Sequence, residues 1–288
     1  MKLISYRDNG ELLVGFLGEN DKIVPIPLIV RDGLSPIRAL LNAGPEAVYA
    51  ARSQAEAAFV SCSGLRELAD VEVAPLIPDP DKILCVGFNY LDHIAEMAIE
   101  HPSEPNIFAK FRNALIADGG VIKMPPSSSQ IDFEGELAVV IGRICNGATE
   151  ANALEFVAGY TVFNDVSARD LQFQTSQYTL GKAIDTFGPL GPVMALARDV
   201  PDPRELRVAT RLNGELMQDE SVAKMLYDVP KIIASISAVI TLVPGDVIST
   251  GTPAGVGWKR TPPRFMVEGD VIEVEVSGVG KLRNTVGA

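Results

Sequence analysis

The run Ile131-Asp132-Phe133-Glu134-Gly135-Glu136-Leu137-Ala138-Val139-Val140-Ile141-Gly142 constrains the fold of this chain more than any other stretch. Apolar residues alternate with others and the run ends on glycine, which predicts a strand. Successive side chains of a strand point to opposite faces. Phe133, Leu137, Val139 and Ile141 then share one face, and Asp132, Glu134 and Glu136 the other. Ala138 and Val140 continue the acidic face as apolar, so that face is at least half buried. Buried carboxylates repel one another and cost several kcal/mol each unless paired or bound to a metal. A divalent cation held by Glu134 and Glu136 explains the pattern best; the alternative is an edge strand with a solvated acidic face.

The composition bounds the rest. The chain has 288 residues, 47% hydrophobic and 22% charged, enough apolar material for a real core. Its net charge of -12 argues against a nucleic-acid backbone or an anionic membrane as partner. Local Lys or Arg and a metal still allow an anionic small molecule. Cys62, Cys85 and Cys145 lie far apart with no CxxC pair, which fits buried thiols in a reducing compartment. No apolar run approaches the roughly 20 residues needed to cross a bilayer, and the N-terminus lacks a signal-peptide core. The expected location is cytoplasmic.

Along the chain, Leu3–Tyr6, Leu12–Leu17 and Lys22–Pro25 read as strands, followed by helices over Pro36–Leu41 and Pro45–Ala58. Pro75, Pro78 and Pro80 punctuate the chain, giving a small N-terminal domain over residues 1–75 and a larger one over 76–288. Ile83–Gly87 is a buried strand, and Phe88–Met97 has helical spacing. His93 and Glu96, three apart, fall on one helix face; they are either a general-base pair or a common surface pair. Asp165 ends the strand Gly159–Asp165 and is either a third metal ligand or a helix cap. Asn213-Gly214 marks a hairpin, and Val229–Leu242 is the best amphipathic helix, with Pro230 at its start. The glycine-rich stretch after Thr250 lacks the lysine of a P-loop, although its backbone N–H groups could bind a carboxylate. With no βαβ rhythm and no repeat, the expected class is α+β and β-rich.

In order, Gly87-Phe88-Asn89-Tyr90-Leu91-Asp92-His93-Ile94-Ala95-Glu96, Asp132–Gly142, Phe163–Asp170, Gly181-Lys182, Asn213–Glu215 and Thr250–Gly257 resemble the fumarylacetoacetate hydrolase family over about residues 78 to 288. The resemblance implies a mixed β-sandwich/roll catalytic domain, a homodimer, and one Mg²⁺ or Mn²⁺ held by Glu134, Glu136 and Asp165. All-oxygen ligation suits such a hard cation. It further implies catalytic roles for His93, Glu96 and Lys182, and contact of Arg169, Gln172 and Thr252 with a 2-oxo or diketo acid substrate. Two departures border the pocket: Phe88 replaces an arginine of many members, and Phe111 a proline.

The activity the resemblance implies first is hydrolysis of a C–C bond in an acylpyruvate through a metal-stabilised enolate. Glu96 would orient His93 to activate water, while Lys182 offsets negative charge. A 2-hydroxydienoate isomerase or oxaloacetate-type decarboxylase using the same site is the second expectation. A silent, metal-stabilised binding protein is the third.

Overall fold

Alternating apolar residues build most of the strands of this protein, whose computed structural model describes residues 1–28, 30 and 33–288. In chain order the longer strands are β1 (Lys2–Asp8), β2 (Glu11–Leu17), β3 (Lys22–Pro25), β4 (Ile83–Gly87), β5 (Asn106–Lys110), β6 (Val121–Lys123) and β7 (Gly135–Ile141). They continue as β8 (Val157–Asn164), β9 (Gly188–Leu196), β10 (Arg207–Leu212), β11 (Glu215–Ser221), β12 (Val247–Ser249), β13 (Val271–Val276) and β14 (Gly280–Gly287). The larger helices are α1 (Pro36–Asn42), α2 (Pro45–Val60), α3 (Leu91–Met97) and α6 (Val229–Ser237), with short α4 (Arg169–Gln172) and α5 (Thr179–Lys182) between them.

Two sheets carry the molecule, and the class is α+β and strand-rich. The larger runs β3-β2-β1-β9-β8-β7-β12-β4-β5, antiparallel except where β12 meets β4. Pairing of Leu3 with Met194 joins the N-terminal strands to the same sheet as β7. The second sheet runs β11-β10-β13-β14-β6.

Strand β7 sits near the middle and is buried along its whole length. Leu137, Val139 and Ile141 join one core with α6 and the second sheet, through residues such as Ile233, Val208 and Val274. Ala138 and Val140 face the other core, with Leu41 and Val48 of the N-terminal helices. The alternation read from the sequence therefore separates two cores rather than a core from solvent. A strand buried on both faces excludes the solvated-edge alternative.

Three local expectations change. The acidic run is two strands: Ile131–Asp132 pairs with Ser167–Ala168, β7 begins at Gly135, and Phe133–Glu134 lies between. Phe133 consequently packs in a third cluster with Ile131 and Met266, away from Leu137. The amphipathic helix stops at Ser237 instead of Leu242, because Leu242 pairs with Cys145. Its start holds, with Pro230 in the first turn and Asp228 accepting from Lys231 N at 3.0 Å. Cys62 is exposed, and only Cys85 and Cys145 are buried. The hairpin turn is as expected, with Asn213 and Gly214 both at positive φ. Among the described residues, no helix is long and apolar enough to cross a membrane.

Candidate active site

The break in the acidic run places the acids. Asp165 N–H donates to Glu134 O at 2.9 Å, and Asn164 Oδ1 accepts from Glu134 N at 3.1 Å. The end of β8 thereby meets the turn before β7. Glu134, Glu136 and Asp165, all buried, can then bring one carboxylate oxygen each within 4.8 Å of the others.

Their partners differ, and that difference decides their electrostatics. Lys182 Nζ donates to Glu134 Oε2 at 2.8 Å and to Asp165 Oδ2 at 2.9 Å. Lys110 Nζ holds the other Asp165 oxygen at 2.5 Å, so each oxygen has its own lysine. Arg169 Nη1 donates to Glu134 Oε1 at 2.6 Å. Burial alone would push the Glu134 carboxyl up, but Lys182 and Arg169 bring it down to about 2. Among the described residues Glu136 has only neutral donors, Ser249 Oγ at 2.5 Å and Gly251 N–H at 2.8 Å, both on Oε2. Burial, then Asp165 and Glu134, push its carboxyl well above the usual range. Burial lowers the Lys110 ammonium. Burial opposes the charge on Lys182 too, but Asp165 and Glu134 outweigh it and raise that ammonium. Three converging carboxylate oxygens, one group lacking a cationic partner, fit a hard divalent ion.

Asp132 lies outside this cluster. It accepts from Arg169 Nε at 2.9 Å, Gly257 N–H at 2.8 Å and Trp258 N–H at 3.0 Å. Arg169 Nη1 also reaches Gln172 Oε1 at 3.0 Å. Thr252 Oγ1 donates to Gly135 O at 3.0 Å and accepts from Gln218 Nε2 at 2.7 Å. His93 Nδ1 lies 3.0 Å from Glu96 Oε2, and His93 is buried. The pair is therefore internal to the fold and is not a solvated surface pair.

One narrow cavity of about 20 Å³ is lined by His93, Glu134, Arg169, Gln172, Lys182 and Thr252. Phe88 and Phe108 close it on the apolar side, Phe88 stacking on His93 with centroids 6.2 Å apart. Glu136 and Asp165 reach this site through the acid cluster and Glu96 through His93.

Sequence reasoning missed two features. Lys110 was visible only as part of a motif, although a lone lysine ending the strand Asn106–Lys110 was a signal for a buried partner. The glycine-rich loop does bind carboxylates, but they are the protein's own. Gly251 N–H serves Glu136, Ala254 N–H Asp92 at 3.2 Å, Gly255 N–H Glu96 at 3.0 Å, and Gly257 and Trp258 serve Asp132. Gly255 has φ +101°, and a Cβ there would lie 2.1 Å from Met217 O. Gly255→Ala is expected to lower the thermal midpoint measured by circular dichroism, the backbone strain alone being about 1–3 kcal/mol. An unchanged midpoint would show that the loop relaxes freely.

A buried carboxylate triad that could hold a divalent ion, the lysines paired with it and the His93–Glu96 pair thus gather at or beside one cavity. A family model described as "Fumarylacetoacetate (FAA) hydrolase C-terminal" matches residues 82–287. The chain belongs to the fumarylacetoacetate hydrolase family. It is 41% identical over 229 residues to oxaloacetate tautomerase YisK of Bacillus subtilis, covering 78% of this chain and 76% of that protein. Among solved structures, fumarylacetoacetate hydrolase from Exiguobacterium antarcticum superposes with TM-score 0.85 at 35% identity, covering 100% of this chain and 99% of the other. The 2-hydroxyhepta-2,4-diene-1,7-dioate isomerase from Mycobacterium marinum gives TM-score 0.78 at 32% identity, covering 100% and 98%. Members of this family are enzymes: hydrolases, isomerases and tautomerases.

Proposed function

We propose that this chain interconverts the keto and enol forms of a small 2-oxo acid, with oxaloacetate the first substrate to test. The observation carrying the reading is His93, held at Nδ1 by Glu96 and facing the cavity that Lys182 and Arg169 also line. The tautomerase name of the Bacillus subtilis relative supports the same reaction.

Glu134, Glu136 and Asp165 would hold one Mg²⁺ or Mn²⁺, which when bound supplies Lewis acidity favouring the enolate form of a 2-oxo acid. The chain's own groups do the rest. Glu96 fixes the imidazole so that Nε2 is the free nitrogen; Nε2 takes the proton from carbon 3 and delivers it to the carbon 2 oxygen to give the enol, and the reverse transfer regenerates the keto form. Lys182 and Arg169 add positive charge where the substrate oxygens become more negative. Gln172 and Thr252 line the same cavity and orient the acid. The cavity of about 20 Å³ holds no more than one or two waters, so substrate entry requires its lining to open.

Hydrolysis of a C–C bond in an acylpyruvate is the second reading, favoured by the full-length likeness to the Exiguobacterium hydrolase. There His93 Nε2 would take its proton from water instead of from carbon. Incubating the Mg²⁺- or Mn²⁺-loaded protein separately with oxaloacetate and an acylpyruvate, followed by proton NMR, separates the two. Faster enol–keto exchange without new fragments supports tautomerisation. Release of pyruvate and a second acid supports hydrolysis, and no change with either substrate rejects both.

A further inference from the structure

Helix α3 carries the His93–Glu96 pair and is tied to the rest of the site by a small set of polar bonds. Its root is fixed by Asn89, which is fully buried. Asn89 Nδ2 donates to Thr250 O at 2.7 Å and Tyr227 O at 2.9 Å, and Oδ1 accepts from Tyr227 N–H at 2.9 Å. Its far end turns at Ala98, a non-glycine residue in the left-handed region at φ 54°. Between these points, two carboxylates face the glycine-rich loop. Glu96 uses one oxygen for His93 and the other for Gly255 N–H. Asp92 uses one oxygen for the His93 backbone N–H at 2.7 Å and the other for Ala254 N–H at 3.2 Å.

We propose that Asp92 is a positioning residue, docking α3 through the Ala254 N–H onto the loop that also supports Glu136, and so setting the His93–Glu96 pair over the acid cluster. Two adjacent amides of one loop receive the two carboxylates, four residues apart on α3. The spacing matches one helical turn, so the helix face bearing Asp92 and Glu96 lies along the loop. Without the Asp92 bond, α3 would be held at its root by Asn89 and along this face by Glu96 alone; the second bond adds a tether one turn away on the same face. Because the loop continues to Gly251 N–H on Glu136, the base and the acids share one backbone support. Asp92 does not line the cavity, so its effect runs entirely through the placement of His93.

The proposal rests on the reading of His93 as the base, but its test does not depend on that reading. Amide hydrogen exchange is measured on full-length wild type, Asp92→Ala and Asp92→Asn, each saturated with Mg²⁺. In Asp92→Ala, residues 88–98 and the Ala254 and Gly255 amides should exchange about tenfold faster, as local opening without global unfolding does. Residues of β7 should keep wild-type rates, and Mg²⁺ affinity by calorimetry should stay within about twofold of wild type, since Asp92 touches no acid of the cluster. Asp92→Asn keeps one acceptor oxygen, enough for the Ala254 N–H or the His93 N–H but not both, and should restore part of the protection. Where turnover is measurable, Asp92→Ala should lower kcat about tenfold with little change in KM, as misplacement of a catalytic group does. Wild-type exchange over residues 88–98 in Asp92→Ala overturns the proposal, as does faster exchange that spreads equally to β7. Absence of turnover in the wild type would reject the tautomerase reading and leave the exchange result to decide this one.

Discussion

Mg²⁺ is expected to raise the thermal midpoint of the wild-type protein, and Glu136→Gln to abolish that rise while leaving the cation-free protein at least as stable. A ligand at one hundred times its Kd stabilises by about 2.7 kcal/mol, so the missing shift is easily read in a thermal melt. The amide oxygen of the variant can still accept from Ser249 and Gly251, but unlike the carboxyl of Glu136 it cannot lose a proton to give a cation a third negative charge beside Glu134 and Asp165. The sign with pH follows from the raised carboxyl. Above about pH 4.3 the unfolded glutamate has lost its proton, while the folded one retains it. Folded protein then binds more protons, and cation-free stability falls as pH rises through that window. Glu136→Gln removes this contribution. Glu134 acts oppositely: its carboxyl is lowered to about 2, so its contribution is present above about pH 4.3 and is lost as pH falls through 2.

Glu134→Ala should therefore behave unlike Glu136→Gln. It leaves Lys182 and Arg169 buried with one partner fewer, and breaking such a pair costs about 3–5 kcal/mol. Asp132→Ala should cost less cation affinity than Glu134→Ala, because Asp132 is committed to Arg169 and to two backbone amides. Calorimetric titration with Mg²⁺ ranks the three variants. A larger affinity loss at Asp132 than at Glu134 would sink the ligand assignment.

The second large effect is expected at His93. His93→Ala should reduce turnover by about 10²–10⁴-fold, the range for loss of a positioned general acid–base. Cation binding should remain, because His93 makes no hydrogen bond to Glu134, Glu136 or Asp165 among the described residues. Glu96→Gln should fall between wild type and His93→Ala, since its one amide oxygen can serve Gly255 N–H or the imidazole Nδ1–H but not both, as the two carboxylate oxygens do. Turnover equal to wild type in His93→Ala would remove the imidazole from the chemistry.

Much of the site was legible because its acids break an otherwise apolar alternation. Glu134 and Glu136 stand out in a stretch whose neighbours demand burial, and the family resemblance linked them with Asp165. The strand break at Phe133–Glu134 was not legible, since Ile131–Asp132 and Gly135–Ile141 read as one continuous alternation. Only tertiary pairing with Ser167–Ala168 separates them. Lys110 was obscured because pairing with Asp165 is long-range, and one residue cannot announce a partner fifty-five positions away. Helix α6 was overextended because Ile240 and Leu242 keep the apolar pattern after the helix ends, Leu242 turning to pair with Cys145. The loop after Thr250 showed its glycines but not their task, which depends on where four distant acids come to rest.

That loop has a consequence for how the enzyme can diversify. Backbone amides at 251, 254, 255, 257 and 258 hold acids, and a main-chain donor survives nearly any exchange of side chain. Mutational drift at residues such as Ala254 or Trp258 can reshape the rim without losing the support. Gly251, Gly255 and Gly257 cannot drift in the same way: the first two hold positive φ, and a Cβ at Gly257 would lie 2.0 Å from Arg264 O and 2.7 Å from Asp132 Oδ1. The molecule thus keeps its charged centre on an inheritance of shape, leaving substrate preference to vary around it.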